Sequence, residues 1–255
     1  MSVKISLQIS KNTLKKRTFA AKSPLQMRYI LTGANRGIGH ATLIHLAQQA
    51  DNRIVAFVRR IDELLPLQAT YPNIFPVVAN LQADKQSLLP AVEAALAHLG
   101  QVDVLINNAA VLHKKAFVDL NEQDIQDSFA VNLYSIIYLI QHLLPHFASP
   151  AHIVNIGSMG GFQGSQRFEQ LSIYAATKAA LANLTESLAL ELDSYRISVN
   201  CLALGAVQTD MLQAAFPNYT ADQTPQQIAH FISEFATHGH RFFNGKILPV
   251  SIHTP

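Results

Sequence analysis

A chain of 255 residues, 49% apolar and 14% charged, is long enough for one large core, and an α/β chain of this size commonly stays undivided, so a single domain is expected. No stretch approaches the roughly 18 uninterrupted apolar residues of a membrane-spanning helix, and the single cysteine, Cys201, rules out an intramolecular disulfide. The net charge of +2 is uneven: seven basic and no acidic residues precede position 29, leaving 12 basic against 17 acidic in the body. Such a body carries no footprint for nucleic acid or an anionic membrane, which predicts a small-molecule partner.

In chain order, residues 1–27 form a basic, Ser/Thr-rich extension that ends at Met27. It has three explanations: a disordered tail, a start codon placed too far upstream, or a targeting peptide. A secretory signal is disfavoured, because no apolar run of about seven residues interrupts the charges. A cytoplasmic location is expected, with organelle import open if the leader is a transit peptide.

From Arg28 onward, short β-branched runs alternate with longer segments of helical period, the pattern of βα units on a parallel sheet. Strands are predicted at Tyr29 to Thr32, Arg53 to Val58, Phe75 to Ala79, Val102 to Asn107, His152 to Ile156, Ile197 to Leu204 and Ile247 to Val250. The helices predicted between them include Ile38 to Gln49, Ser87 to Leu99, Glu122 to Phe147 and Ser172 to Ser194. Apolar runs such as Val-Asp-Val-Leu-Ile imply strands covered on both faces. The expected fold is therefore an α/β, Rossmann-type, doubly wound parallel sheet of about seven strands over residues 28–255.

The first strand runs into Thr32-Gly33-Ala34-Asn35-Arg36-Gly37-Ile38-Gly39. Glycines there permit a tight turn and let backbone N–H groups approach a pyrophosphate at a helix N-terminus. Gly33, Gly37 and Gly39, with Asn35, Arg36 and Ile38, are the candidate contacts. Ligands of open α/β sheets lie beyond the carboxyl ends of the strands. The second strand ends in Arg59-Arg60 without the acidic residue that would hold a ribose 2′-hydroxyl; basic groups suit a 2′-phosphate, so NADP(H) is expected in preference to NAD(H).

Tyr174 and Lys178 lie one turn apart at the start of a long helix, on one face. A cation there is expected to lower the phenol pKa and make Tyr174 a proton-transfer group. Ser158, ending the fifth strand, and Asn132, inside the preceding helix, are placed to converge on the same mouth of the sheet.

These motifs, in this order over about residues 28 to 210, resemble the classical short-chain dehydrogenase/reductase family: the glycine loop, Asn107-Asn108-Ala109-Ala110 after the fourth strand, Asn132, Ser158, and Tyr174 with Lys178. The resemblance implies hydride transfer between NADP(H) and a carbonyl or alcohol. Tyr174 would exchange the proton, Ser158 orient the carbonyl, Lys178 hold the nicotinamide ribose and tune the tyrosine, and Asn132 keep a relay water. Asn107 and Ala109 would line the cofactor channel, Asn80 and Leu81 meet the adenine, and Val207 and Thr209, after Gly205, meet the carboxamide.

Leu204-Gly205 stands where the family usually has Pro-Gly, which puts the rigidity of that loop in question. The stretch from Ser158 to Tyr174, about three residues longer than usual for the family, is either a substrate-facing loop or a surface insertion. Substrate choice is expected to rest on Met159 to Ile173 and on Gln208 to His240, which contains Met211, Leu212, Phe216, Tyr219, Phe231 and Phe235; these apolar residues either line a lid or pack helices. A homodimer or homotetramer is implied, with Ile136, Ile137, Ile140 and Leu144 either on its interface or against the sheet. The eleven histidines show no ligand spacing, so no metal is expected. A cofactor-sensing regulator without chemistry is the rival function.

Overall fold

The computed structural model describes residues 26–252, so the expectations for the leader at positions 1–25 lie outside the described residues. Arg28, the last of the seven basic residues before position 29, belongs to the fold: its Nε lies 2.8 Å from Asp103 Oδ2 on the neighbouring strand.

The seven strands among the described residues are β1 (Arg28–Thr32), β2 (Arg53–Val58), β3 (Ile74–Val78), β4 (Val102–Asn107), β5 (Phe147–Ser158), β6 (Ile197–Leu204) and β7 (Ile247–Val250). They form one sheet in the order β3-β2-β1-β4-β5-β6-β7, and every pairing is parallel. Strand order reverses between β1 and β4, which places the expected ligand crevice at their carboxyl ends.

Among the described residues eight α-helices connect them: α1 (Gly37–Ala47), α2 (Leu65–Thr70), α3 (Leu89–Leu99), α4 (Glu122–Phe129), α5 (Ser135–Leu143), α6 (Ser172–Glu191), α7 (Asp210–Ala215) and α8 (Pro225–His238). Side chains alternate between two cores, as the two-residue period of a strand requires. Ile30, Val55, Leu105, Ile153 and Val199 face α3, α5 and α6, whereas Leu31, Ala56, Ile106, Val154 and Leu202 face α1 and α8.

One expectation changes, and one open alternative is decided in part. The helix predicted through Phe147 is divided into α4, a π-helical turn at Ala130–Tyr134, α5 and a 3-10 turn at Leu144–His146. Pro145 within that last turn cannot donate to a continuing helix, and Phe147 already pairs with Val102, so β5 begins five residues before its predicted start. Of the four apolar residues left open between an interface and the sheet, Ile136 and Ile140 are buried against the sheet and Leu144 packs on the same core.

Candidate active site

The carboxyl ends of the strands open into a cleft of about 1040 Å³, at the upper end of the range for small-molecule sites. At one end lies the glycine loop. Gly39 must lack a side chain: a Cβ there would stand 2.1 Å from the Gly33 carbonyl oxygen and 2.4 Å from Asn108 Nδ2. That Asn108 amide donates to the carbonyls of Thr32 (3.0 Å) and Gly33 (3.1 Å), while Thr32 Oγ1 accepts from the N–H groups of Asn108 and Ala109. The end of β4 thus pins the turn that leads into α1.

Asn108, not Asn107, is the residue of the Asn-Asn pair that shapes the cleft. Period-two alternation decides between them: Asn107 points into the interior, 1% exposed, and donates to Asn155 Oδ1 at 2.8 Å, so the expectation that it lines the channel is corrected. Ala109 does line the cleft.

Gly33, Asn35, Arg36, Gly37, Ile38 and Gly39 all border the cleft, as do Arg59, Asn80 and Leu81. Of the basic residues grouped there, Arg60 is diverted. Its guanidinium pairs with Glu63, and Glu63 also accepts from Asn35 Nδ2 at 2.6 Å, leaving Arg36 and Arg59 as the guanidinium groups on the wall. At the opposite side, Gly205 is steadied without a preceding proline: its N–H donates to the Val250 carbonyl at 2.9 Å, extending the β6–β7 pairing. Val207 is bridged to Gln223, and Thr209 caps α7 by accepting from Leu212 N–H at 3.2 Å.

Ser158, Tyr174 and Lys178 meet on one wall. The turn after Ser158, Met159–Gly161, packs directly on α6; a Cβ on Gly161 would stand 2.7 Å from the backbone of Lys178 and Ala179. Burial raises the Tyr174 phenol pKa above its ordinary value, and hydrogen bonding with Ser158 partly opposes this. Lys178 is buried at 3% exposure; its ammonium donates to the Ile156 carbonyl at 2.7 Å and lies 5.8 Å from the centre of the Tyr174 ring. Burial lowers its pKa to about 8. The Tyr174 phenol is therefore shifted upward, opposite to the expected direction: burial is the largest influence on it, and the Lys178 ammonium is engaged by a backbone carbonyl.

Asn132 stands behind this wall, fully buried in the π-helical turn. Its Oδ1 accepts from Val111 N–H at 2.8 Å, and its Nδ2 donates to the Val111 carbonyl at 3.0 Å and to Thr177 Oγ1 at 3.1 Å. The side chain is spent on holding the β4 loop against α6.

Residues 28–220 match the model of the family described as short chain dehydrogenase. The chain belongs to this family. Relatives include the L-xylulose reductase of Mus musculus, 36% identical over 72% of this chain and 73% of the relative. The carbonyl reductase (NADPH) 2 of Sus scrofa is 35% identical over the same shares. A short-chain dehydrogenase from Burkholderia cenocepacia, solved with NADP, superposes with a TM-score of 0.79 at 26% identity, covering 90% of this chain and 98% of that one. The protein is thus a short-chain dehydrogenase with reductases among its relatives.

In this family member the far end of the cleft is apolar. Met159, Phe168 and Leu171 line it from the β5–α6 loop, and Met211, Leu212, Phe216 and Tyr219 from the segment after β6. The extended loop therefore lines the cleft in part, while its Arg167 turns back onto the carbonyls of Phe162 and Ser165. Phe235 is core and Phe231 stacks on it, so these two leave the set of lid candidates.

Proposed function

We propose that the protein is an NADP(H)-dependent oxidoreductase acting on a carbonyl compound or its alcohol. The observation that carries the reading is the sharing of one cleft by the pinned glycine loop and the Ser158–Tyr174–Lys178 wall. Gly33, Gly37 and Gly39 with Asn35 and Ile38 would hold the pyrophosphate, which the N-terminus of α1 favours electrostatically. Arg36 and Arg59 would meet the 2′-phosphate, Asn80 and Leu81 the adenine, and Ala109, Gly205, Val207, Thr209 and Lys178 the nicotinamide half. The bound nicotinamide supplies or accepts the hydride.

The chain's own residues supply position and the proton. The raised pKa of Tyr174 keeps its phenol protonated, which suits donation to a carbonyl oxygen. The Ser158 hydroxyl would donate to the same oxygen and fix the reacting geometry. Positive charge at Lys178 Nζ, close to the ring, stabilises the phenolate left behind. Any relay water beside Asn132 would contact the main chain, because the amide side chain is engaged.

Homodimer or homotetramer assembly belongs to the same reading, supported by the exposed Phe117, Val118, Ile125 and Tyr134 on and beside α4.

The test is titration with NADPH and NADH, followed by the reduced-nicotinamide absorbance with aldehydes, ketones and quinones. NADPH binding with turnover is expected, and Tyr174→Phe should keep binding while losing at least about a hundredfold in rate. Binding without turnover across the panel would favour a cofactor sensor, and no binding would end the reading.

A further inference from the structure

The loop after β4 is fastened on alternate sides. His113 Nδ1 lies 3.4 Å and Lys115 Nζ 2.6 Å from the carboxylate of Asp124, whose backbone N–H donates to Asn121 Oδ1 in the capping box of α4. The Lys115 N–H is tied to the Gln170 carbonyl at 3.1 Å. Lys114, between them, projects into the cleft: its Nζ donates to the Ala215 carbonyl at 2.6 Å and sits 4.2 Å from the centre of the Phe216 ring. Phe216 in turn meets Phe168, centroid to centroid 6.2 Å, from the β5–α6 loop.

Ala215 is the last residue of α7, so its carbonyl belongs to the terminal group that has no acceptor role inside the helix. A helix of six residues has too few internal bonds to persist alone. Its N-terminus is held by the Thr209 cap and its C-terminus by the Lys114 ammonium, and between these fastenings Met211 and Leu212 wall the substrate end of the cleft. The Lys114 charge is directed at the helix terminus and the aromatic face.

We propose that Lys114 is a positioning residue for substrate specificity: it latches α7 and Phe216 across the substrate end, shaping an apolar chamber for the non-reacting part of an uncharged carbonyl compound. This rests on the reading of the cleft as a carbonyl site. A latch acts on the substrate half and leaves the cofactor half alone, so KM for the carbonyl and the exposure of α7 should change together.

The test compares Lys114→Met and Lys114→Arg with the wild-type protein, all loaded with NADPH. One charge-assisted bond and a cation–π contact at a half-buried site correspond to about a tenfold effect. For Lys114→Met, proteolytic cleavage within residues 208–220 should accelerate about tenfold, and KM for a neutral apolar carbonyl should rise by about the same factor. NADPH affinity should stay within about twofold, and Lys114→Arg should recover most of both losses. Unchanged cleavage and KM would overturn the latch, as would an equal loss of NADPH binding. A KM effect confined to carboxylate-bearing substrates would make Lys114 an anion receptor instead. If the wild-type protein reduces no carbonyl, the proposed function fails, and the cleavage comparison still decides the latch.

Discussion

Acidification should destabilise the fold through one histidine. His152 lies in β5, 1% exposed, with Nδ1 donating to the Ala236 carbonyl at 2.9 Å and Nε2 accepting from Asn200 Nδ2 at 3.0 Å. The Asn200 amide has its orientation set by Phe243 and Lys246, so a proton on Nε2 would face another donor. Burial lowers the His152 pKa from 6.5 to about 3. Below pH 6.5 the unfolded chain takes up a proton that the folded chain refuses, so stability present above that pH is lost as the pH falls towards 3. At about 1.4 kcal/mol per pKa unit, the loss is about 2 kcal/mol at pH 5 and approaches about 5 kcal/mol below pH 3. Urea unfolding of the wild-type protein and His152→Gln at pH 7 and pH 5 isolates this group, because other titrations cancel in the double difference. The variant should be weaker at pH 7, since an amide keeps only one of the two bonds, yet lose about 2 kcal/mol less on acidification. Equal losses in both proteins would refute the assignment of a neutral, locked imidazole.

Gly39→Ala forces a methyl against the Gly33 carbonyl and the Asn108 amide; NADPH affinity measured by nicotinamide fluorescence should fall at least about tenfold, with the circular dichroism of the fold retained. Arg59→Ala should weaken NADPH about tenfold while leaving NADH within about twofold, because only the former carries the 2′-phosphate; parallel losses for both cofactors would remove Arg59 from that role.

How far the site was legible varied with the kind of information each residue carries. Ser158, Tyr174 and Lys178 share a wall because a strand end and one helical turn place them there, and both are local relations. Asn107 misled for the opposite reason. The Asn-Asn run was visible, but which side chain faces the crevice depends on the phase of β4 between two cores, and Asn108 alone reaches back to the glycine loop. Arg60 was drawn off by Glu63, three positions along an irregular turn with no periodicity to read. Asn132 could be named from its place in the predicted helix, but not its partners Val111 and Thr177, which lie 21 and 45 residues away.

The alternation of β-branched runs with helical segments, and the glycine loop at the first strand end, determined the fold class and the crevice from sequence alone, because strand and helix periods are written in local residue order. Only the tertiary structure decided the order of the sheet, the break of the long helix at a π-helical turn, the direction of the Tyr174 pKa shift and the contact of Lys114 with α7. Each of these depends on burial or on pairing between distant segments, and hydration lost to burial is set by the whole packed assembly.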